Sequence, residues 1–263
     1  MSLTETIELA DGDGQLRLHV LPQRGFDLGR AWFRDAEIAW TSPLGELPWQ
    51  GDFARSFGGG LVTTCGLRNV GVPSEGQPQH GWYSSLPARD VDVQRQFARA
   101  RMVEADVPGE TLELTREIRV DGGGVSIVDR TRNPGHAPVA APLLYHVNLV
   151  WDAVDIDSAD VLPRDDDARA GDWRTEGPPG PERVYEHVGA SRAIVARGRV
   201  RVTVTSTLPR LWQWIHPSYG VLGIEPSNCS VLGRAHDRAE GRLPVLEPGE
   251  ERVTGLHIDA EGA

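Results

Sequence analysis

Thr111-Leu112-Glu113-Leu114-Thr115-Arg116-Glu117-Ile118-Arg119-Val120 is the stretch that decides the fold class. Leu112, Leu114, Ile118 and Val120 alternate with the polar residues Glu113, Thr115, Glu117 and Arg119, so a period of two sends the apolar side chains to one face. That is a strand with one face in a core and the other in water. Val200, Val202 and Val204 alternate in the same way with Arg199, Arg201, Thr203 and Thr205. Leu16, Leu18 and Val20 repeat the pattern against Arg17 and His19. Helical periodicity is nowhere sustained over even three turns. Thirty glycines and nineteen prolines, spread along the chain, fit many strands joined by tight turns.

The rest of the chain extends this reading. Strands run to about Ser42, and a Gly-rich stretch from Gly51 to Gly81 carries turns and polar residues. Val91–Arg101, Thr111–Val120, Val125–Arg132 and Ala140–Val150 read as consecutive antiparallel strands, with Pro108-Gly109 and Gly122-Gly123-Gly124 at two turns. Asp152–Arg192 is acidic and rich in Pro and Gly, with Asp165-Asp166-Asp167 inside it, and reads as a long surface excursion. Strands return at Ala193–Ala196, Val200–Ser206, Leu211–Ile215, Val221–Ile224 and Arg252–Ile258. No linker or internal repeat divides the sequence, so residues 1–263 are expected to form one all-β domain.

Composition narrows the function classes. Twenty-seven basic against 38 acidic residues give a net charge of −11, which repels phosphate backbones and anionic lipid surfaces. Neither nucleic acid nor membrane is an expected partner. No apolar run approaches the roughly 18 residues of a membrane span, and Met1–Gly12 lacks the basic start and apolar run of a signal peptide, so a cytoplasmic protein is expected. Cys65 and Cys229 lack zinc-ligand spacing and read as free buried thiols. No metal or other cofactor is expected. A homodimer is a possible assembly.

Three segments place ionisable groups where the alternation alone would not. In Gln79-His80-Gly81-Trp82 a histidine precedes a glycine that lets the backbone approach a ligand, although a structural histidine in a turn fits equally. In Leu143-Leu144-Tyr145-His146-Val147-Asn148-Leu149, His146 and Asn148 share one face of a strand while Leu143, Tyr145 and Val147 share the other. In Gly223-Ile224-Glu225-Pro226 an apolar strand ends in a carboxylate held extended by the next proline. A buried, unpaired glutamate is costly, so Glu225 is either paired, with Arg68 as one candidate, or kept for proton transfer.

These segments, with Leu246-Glu247-Pro248-Gly249-Glu250, resemble the aldose 1-epimerase (galactose mutarotase-like) superfamily. Arg24-Gly25-Phe26-Asp27-Leu28-Gly29 and Trp40-Thr41-Ser42-Pro43 look like a bacterial branch of it. The order of motifs matches from about Leu16 to Ile258. The resemblance implies a large twisted antiparallel β sandwich, the galactose mutarotase-like supersandwich, with a small-molecule carbohydrate on its concave face. It implies Glu225 as catalytic base and His146 as general acid. His80, Arg68, Asn148, Arg24 and Trp82 are then the expected sugar contacts. One departure stands out: the family follows its acid histidine with an aromatic-rich run, where this chain has Val147-Asn148-Leu149-Val150.

The chemistry implied is anomer interconversion. Opening a cyclic hemiacetal needs a base on the anomeric hydroxyl and an acid on the ring oxygen, each worth about 10² to 10⁴-fold in rate. On this reading Glu225 is a carboxylate, His146 an imidazolium, and the two lie on opposite sides of the sugar. Two other readings use the same cleft. One is a non-catalytic carbohydrate-binding or sensing protein; the other is an isomerase or lyase of an unusual sugar.

Overall fold

A computed structural model describes residues 6–262 except 48, 50, 108, 166, 167 and 170. Pro108 of the expected turn and Asp166-Asp167 of the acidic run therefore lie outside the described residues. Strands β1 (Ile7–Ala10), β2 (Leu16–Leu21), β3 (Asp27–Phe33) and β4 (Ala36–Glu37) open the chain. The short helix α1 (Phe53–Ser56) and strand β5 (Val62–Gly66) follow. Next come β6 (Arg89–Gln94), β7 (Phe97–Ala105), β8 (Thr111–Asp121), β9 (Gly124–Arg132), β10 (Val139–Ala140) and β11 (Leu143–Leu149). The last part holds β12 (Ala153–Ile156), β13 (Asp160–Pro163), β14 (Arg183–Val188), β15 (Arg192–Arg197), β16 (Val200–Ser206), β17 (Arg210–His216) and β18 (Val221–Ser227). A six-residue helix α2 (Arg234–Ala239) then leads to β19 (Val245–Leu246) and β20 (Glu251–Gly262).

These strands build two large antiparallel sheets. The first runs β1-β2-β3-β5-β11-β18-β17-β14-β13 with β4 beside β3, and the second runs β12-β15-β16-β20-β9-β8-β7-β6. The inward faces of both form one core, in which Leu112, Leu114 and Ile118 join Leu18, Val147, Ile224 and Ile258. The alternation that defined β8 thus has its expected physical cause: its apolar rungs face the other sheet. Cys65 and Cys229 are buried, free thiols. Among the described residues no helix is long and apolar enough to cross a membrane.

Two expectations need correction. Val91–Arg101 is not one strand, because the chain turns at Arg95-Gln96 between β6 and β7. No glycine or proline marks that turn. Nor is Asp152–Arg192 an excursion: β12 joins the second sheet, and β13 and β14 form one end of the first. The acidic residues of β12 and β13 point outward, with Asp155 and Asp160 exposed and Val154 and Ile156 buried.

A second buried feature crosses between the sheets. Arg116, in the inward register of β8, is wholly buried. Its guanidinium donates to both Asp129 carboxylate oxygens at 2.9 and 2.7 Å, to Asp27 Oδ1 at 2.6 Å and to Thr64 Oγ1 at 2.9 Å. The Tyr145 hydroxyl, on β11, donates to Asp129 Oδ2 at 2.9 Å. Asp27, Thr64 and Tyr145 belong to the first sheet and Arg116 and Asp129 to the second, so the network ties the two together.

Candidate functional site

β11 lies at the middle of the first sheet, between β5 and β18. Register pairs Leu144 with Ser227 and Val147 with Ile224, so His146 stands opposite Glu225 on the outward face. The same row continues to Thr63 on one side and Trp212 on the other. His146 Nε2 lies 3.1 Å from Glu225 Oε1, and both side chains are buried. Gly223 makes room for the contact. A Cβ there would lie 2.8 Å from Glu225 Oε1 and 2.9 Å from His146 Cε1.

Burial sets the proton inventory of this pair. It pushes the Glu225 carboxyl up to about 8, with the nearby Glu182 adding to the effect. It pushes His146 down to about 3, helped by the neighbouring His80. At neutral pH the resting pair is therefore uncharged, with protonated Glu225 donating to His146 Nε2. The expected carboxylate and imidazolium are not the resting forms.

His80 joins the pair from the Gly51–Gly81 segment, its ring 6.3 Å from that of His146. The His80 Nδ1 accepts from the Gly71 backbone N–H at 3.3 Å, which leaves Nε2 as the protonated donor. Burial pushes this imidazole down to about 4, so it is neutral too. Phe57 and Trp214 flank His146 at 5.2 and 5.3 Å between ring centres. Together with Phe53, Gln79, Glu182 and Val184 these residues enclose a pocket of about 180 Å³. Trp214 Nε1 donates to Glu182 Oε2 at 2.7 Å, fixing a carboxylate at the rim.

The structure brings Glu225, His146 and His80 together, but four expected sugar contacts lie elsewhere. Arg68 is buried among Glu104, Asp106 and Glu110 and forms ion pairs with them, not with Glu225. Arg24 is 4% exposed and donates to the backbone carbonyls of Gly45, Leu47 and Ser56, so it clamps a loop. Trp82 is 44% exposed and lines no part of the pocket. Asn148 shares the face of His146 as expected but is fully buried, its Nδ2 donating to Gly60 O and His146 O at 2.9 and 3.0 Å. The expectation that acid and base flank the sugar from opposite sides also fails, because they touch each other.

Two buried atoms are left over. Among the described residues, His146 Nδ1 and Asn148 Oδ1 have no hydrogen-bond partner, while the Asn148 side chain favours the protonated ring of His146. Sequence reasoning missed Phe53, Phe57 and Glu182 as pocket walls. Only the density of aromatics in Trp49–Phe57 hinted at the two phenylalanines.

A family model described as "Domain of unknown function (DUF4432)" matches residues 4–260. The chain belongs to the DUF4432 family. No curated protein matches its sequence. Among solved structures, a Synechocystis sp. PCC 6803 protein superposes with a TM-score of 0.81 at 17% identity, covering 99% of this chain and 96% of that one. A Klebsiella pneumoniae protein described as a candidate aldose 1-epimerase gives 0.81 at 21% identity, over 93% and 76% of the two chains. A galactose mutarotase-like protein from Lactobacillus casei gives 0.70 at 13% identity, over 98% and 100%. This DUF4432 chain therefore has the galactose mutarotase-like fold, an antiparallel β supersandwich.

Proposed function

We propose that the protein is an isomerase of the aldose 1-epimerase type, which interconverts the anomers of a sugar by acid/base ring opening. The single observation that carries this reading is the 3.1 Å contact between His146 Nε2 and Glu225 Oε1 on the floor of an aromatic-walled pocket. The anomeric oxygen and the ring oxygen hang from the same carbon. Two groups in contact with each other can therefore serve both, with the sugar lying over the pair.

Moving one proton from Glu225 to His146 converts the resting pair into carboxylate and imidazolium without bringing net charge into the pocket. Glu225 then takes the anomeric hydroxyl proton while His146 gives its proton to the ring oxygen, and the C1–O5 bond breaks. The products are the open-chain aldehyde, a protonated Glu225 and a neutral His146, which is the resting form again. After rotation about C1–C2, Glu225 returns a proton to the carbonyl oxygen as the ring hydroxyl attacks and gives its proton to His146. No proton is lost or gained over the cycle. Asn148, beside His146 on the same strand face, favours the protonated imidazole, and His80 donates to a sugar hydroxyl.

The test is NMR exchange spectroscopy of sugar anomers with wild type and Glu225→Gln. Wild type should exceed the buffer rate, and the variant should lose about 10² to 10⁴-fold while still binding sugar. A wild type no faster than buffer for every sugar that binds would favour a binding or sensing protein. An undiminished rate in folded Glu225→Gln would remove Glu225 from the mechanism.

A further inference from the structure

The pocket over His146 and Glu225 is too small to be a complete binding site. Its volume of about 180 Å³ falls below the roughly 300–1,000 Å³ usual for small-molecule sites. It is contiguous with a second chamber of about 480 Å³, and Phe53, Phe57, Gln79, Glu182 and Trp214 line both. The outer chamber is walled by Trp40, Leu44, His216 and Tyr219. Tyr219 is 60% exposed and Leu44 42%. A single exposed apolar residue is ordinary, whereas a contiguous set around a cavity marks a binding surface.

The platform is already assembled. Trp40 Nε1 donates to the Tyr219 carbonyl at 2.9 Å. The ring of Tyr219 lies 4.5 Å from that of His216, and the ring of Trp40 lies 6.1 Å from that of Phe57. Charge narrows the ligand. Among the described residues no arginine lines either chamber, the chain contains no lysine, and Glu182 and Glu225 supply only acid. A phosphate or carboxylate would meet no counter-charge there. Aromatic faces with Ser42, Gln79 and a His216 whose Nδ1 has no partner suit a ring with an apolar face and hydroxyls at its edge.

We infer that the outer chamber is a second sugar subsite, and that the substrate is the reducing end of a neutral disaccharide or longer chain. This rests on the isomerase reading. Only the terminal ring of such a chain carries a free hemiacetal, so that ring lies over His146 and Glu225. The next ring then extends outward between Trp40 and Tyr219.

Isothermal titration would compare glucose and galactose with disaccharides that carry them at the reducing end: cellobiose, maltose and galactobiose. At least one disaccharide should bind about tenfold more tightly than its own reducing-end sugar. Tyr219→Ala, at an exposed position, should remove most of that advantage and leave the monosaccharide Kd within about twofold. Trp40→Ala is the second variant and should act in the same direction. Monosaccharide binding with no gain for any disaccharide would overturn the second subsite and leave the isomerase reading standing. A gain insensitive to both variants would place the second ring elsewhere and also overturn it. Failure of all five sugars to bind would overturn both readings.

Discussion

Tyr145 and His146 are neighbours in sequence and sit on opposite faces of β11, each beside a buried carboxylate, yet their surroundings differ in kind. Behind the strand, Asp129 faces Arg116 through two hydrogen bonds and the Tyr145 hydroxyl through a third. Burial alone would lower Arg116, but Asp129, with Asp27 adding to it, holds it well above its ordinary value. That network is built around a charged guanidinium paired with a buried carboxylate. In front of the strand, Glu225 has one close partner, an imidazole that burial keeps neutral. A buried charge that is matched ties sheets together; a buried acid left without a cation keeps its proton available.

The comparison breaks if the two faces respond alike to substitution. The largest effect should come from His146→Gln, with turnover falling by about 10² to 10⁴-fold and the melting temperature little changed. Arg116→Met should do the reverse, removing the cation from two buried carboxylates and costing about 3–5 kcal/mol of stability. At this chain length that is a fall of roughly 6–20 °C in Tm. Tyr145→Phe sharpens the contrast. It leaves Asp129 one donor short and should cost about 1–3 kcal/mol without touching kcat.

A smaller effect separates the faces by pH. The Glu225 carboxyl is raised from an ordinary value of 4.5 to about 8, so the native state holds a proton that the unfolded chain releases. Its contribution to stability is present below about 4.5 and is lost as pH rises toward 8. His80 and His146 are lowered from 6.5 to about 4 and about 3, so their contributions are present above about 6.5 and are lost as pH falls through that range. Glu225→Gln should therefore gain Tm relative to wild type between pH 5 and 8. A charged His146–Glu225 pair would give the opposite sign, and the pH series of Tm distinguishes the two.

Much of this was legible in the sequence, and the physical reasons for the remainder are specific. Period-two alternation marks strands such as β8, β16 and β2 because each buries one face. His146 and Glu225 could be singled out because an ionisable residue interrupts an apolar strand. Arg116 interrupts the apolar register of Leu112, Leu114 and Ile118 in the same way, but its partners Asp27 and Asp129 come from other strands and leave no local mark. Arg68 was misplaced for the same reason, since Glu104, Asp106 and Glu110 capture it across β7 and the turn that follows. The break between β6 and β7 lacks glycine and proline, and β12 to β14 hide in an acidic, Pro-rich stretch, with β12 and β13 at sheet ends.

His146 and Glu225 hang from directly paired rungs of β11 and β18, with β5 and β17 paired on either side. Their spacing is thus held by the main-chain ladder, whereas His80, Phe53 and Phe57 arrive on the Gly51–Gly81 segment, which has only α1 and β5 within it before the turn at Gly81. Any adjustment to a guest falls to the parts of that segment outside β5 while the proton-carrying pair stays still. Measured by amide deuterium uptake, sugar should slow exchange across 51–61 and 67–81 and leave the ladder amides of 62–66, 143–149 and 221–227 unchanged.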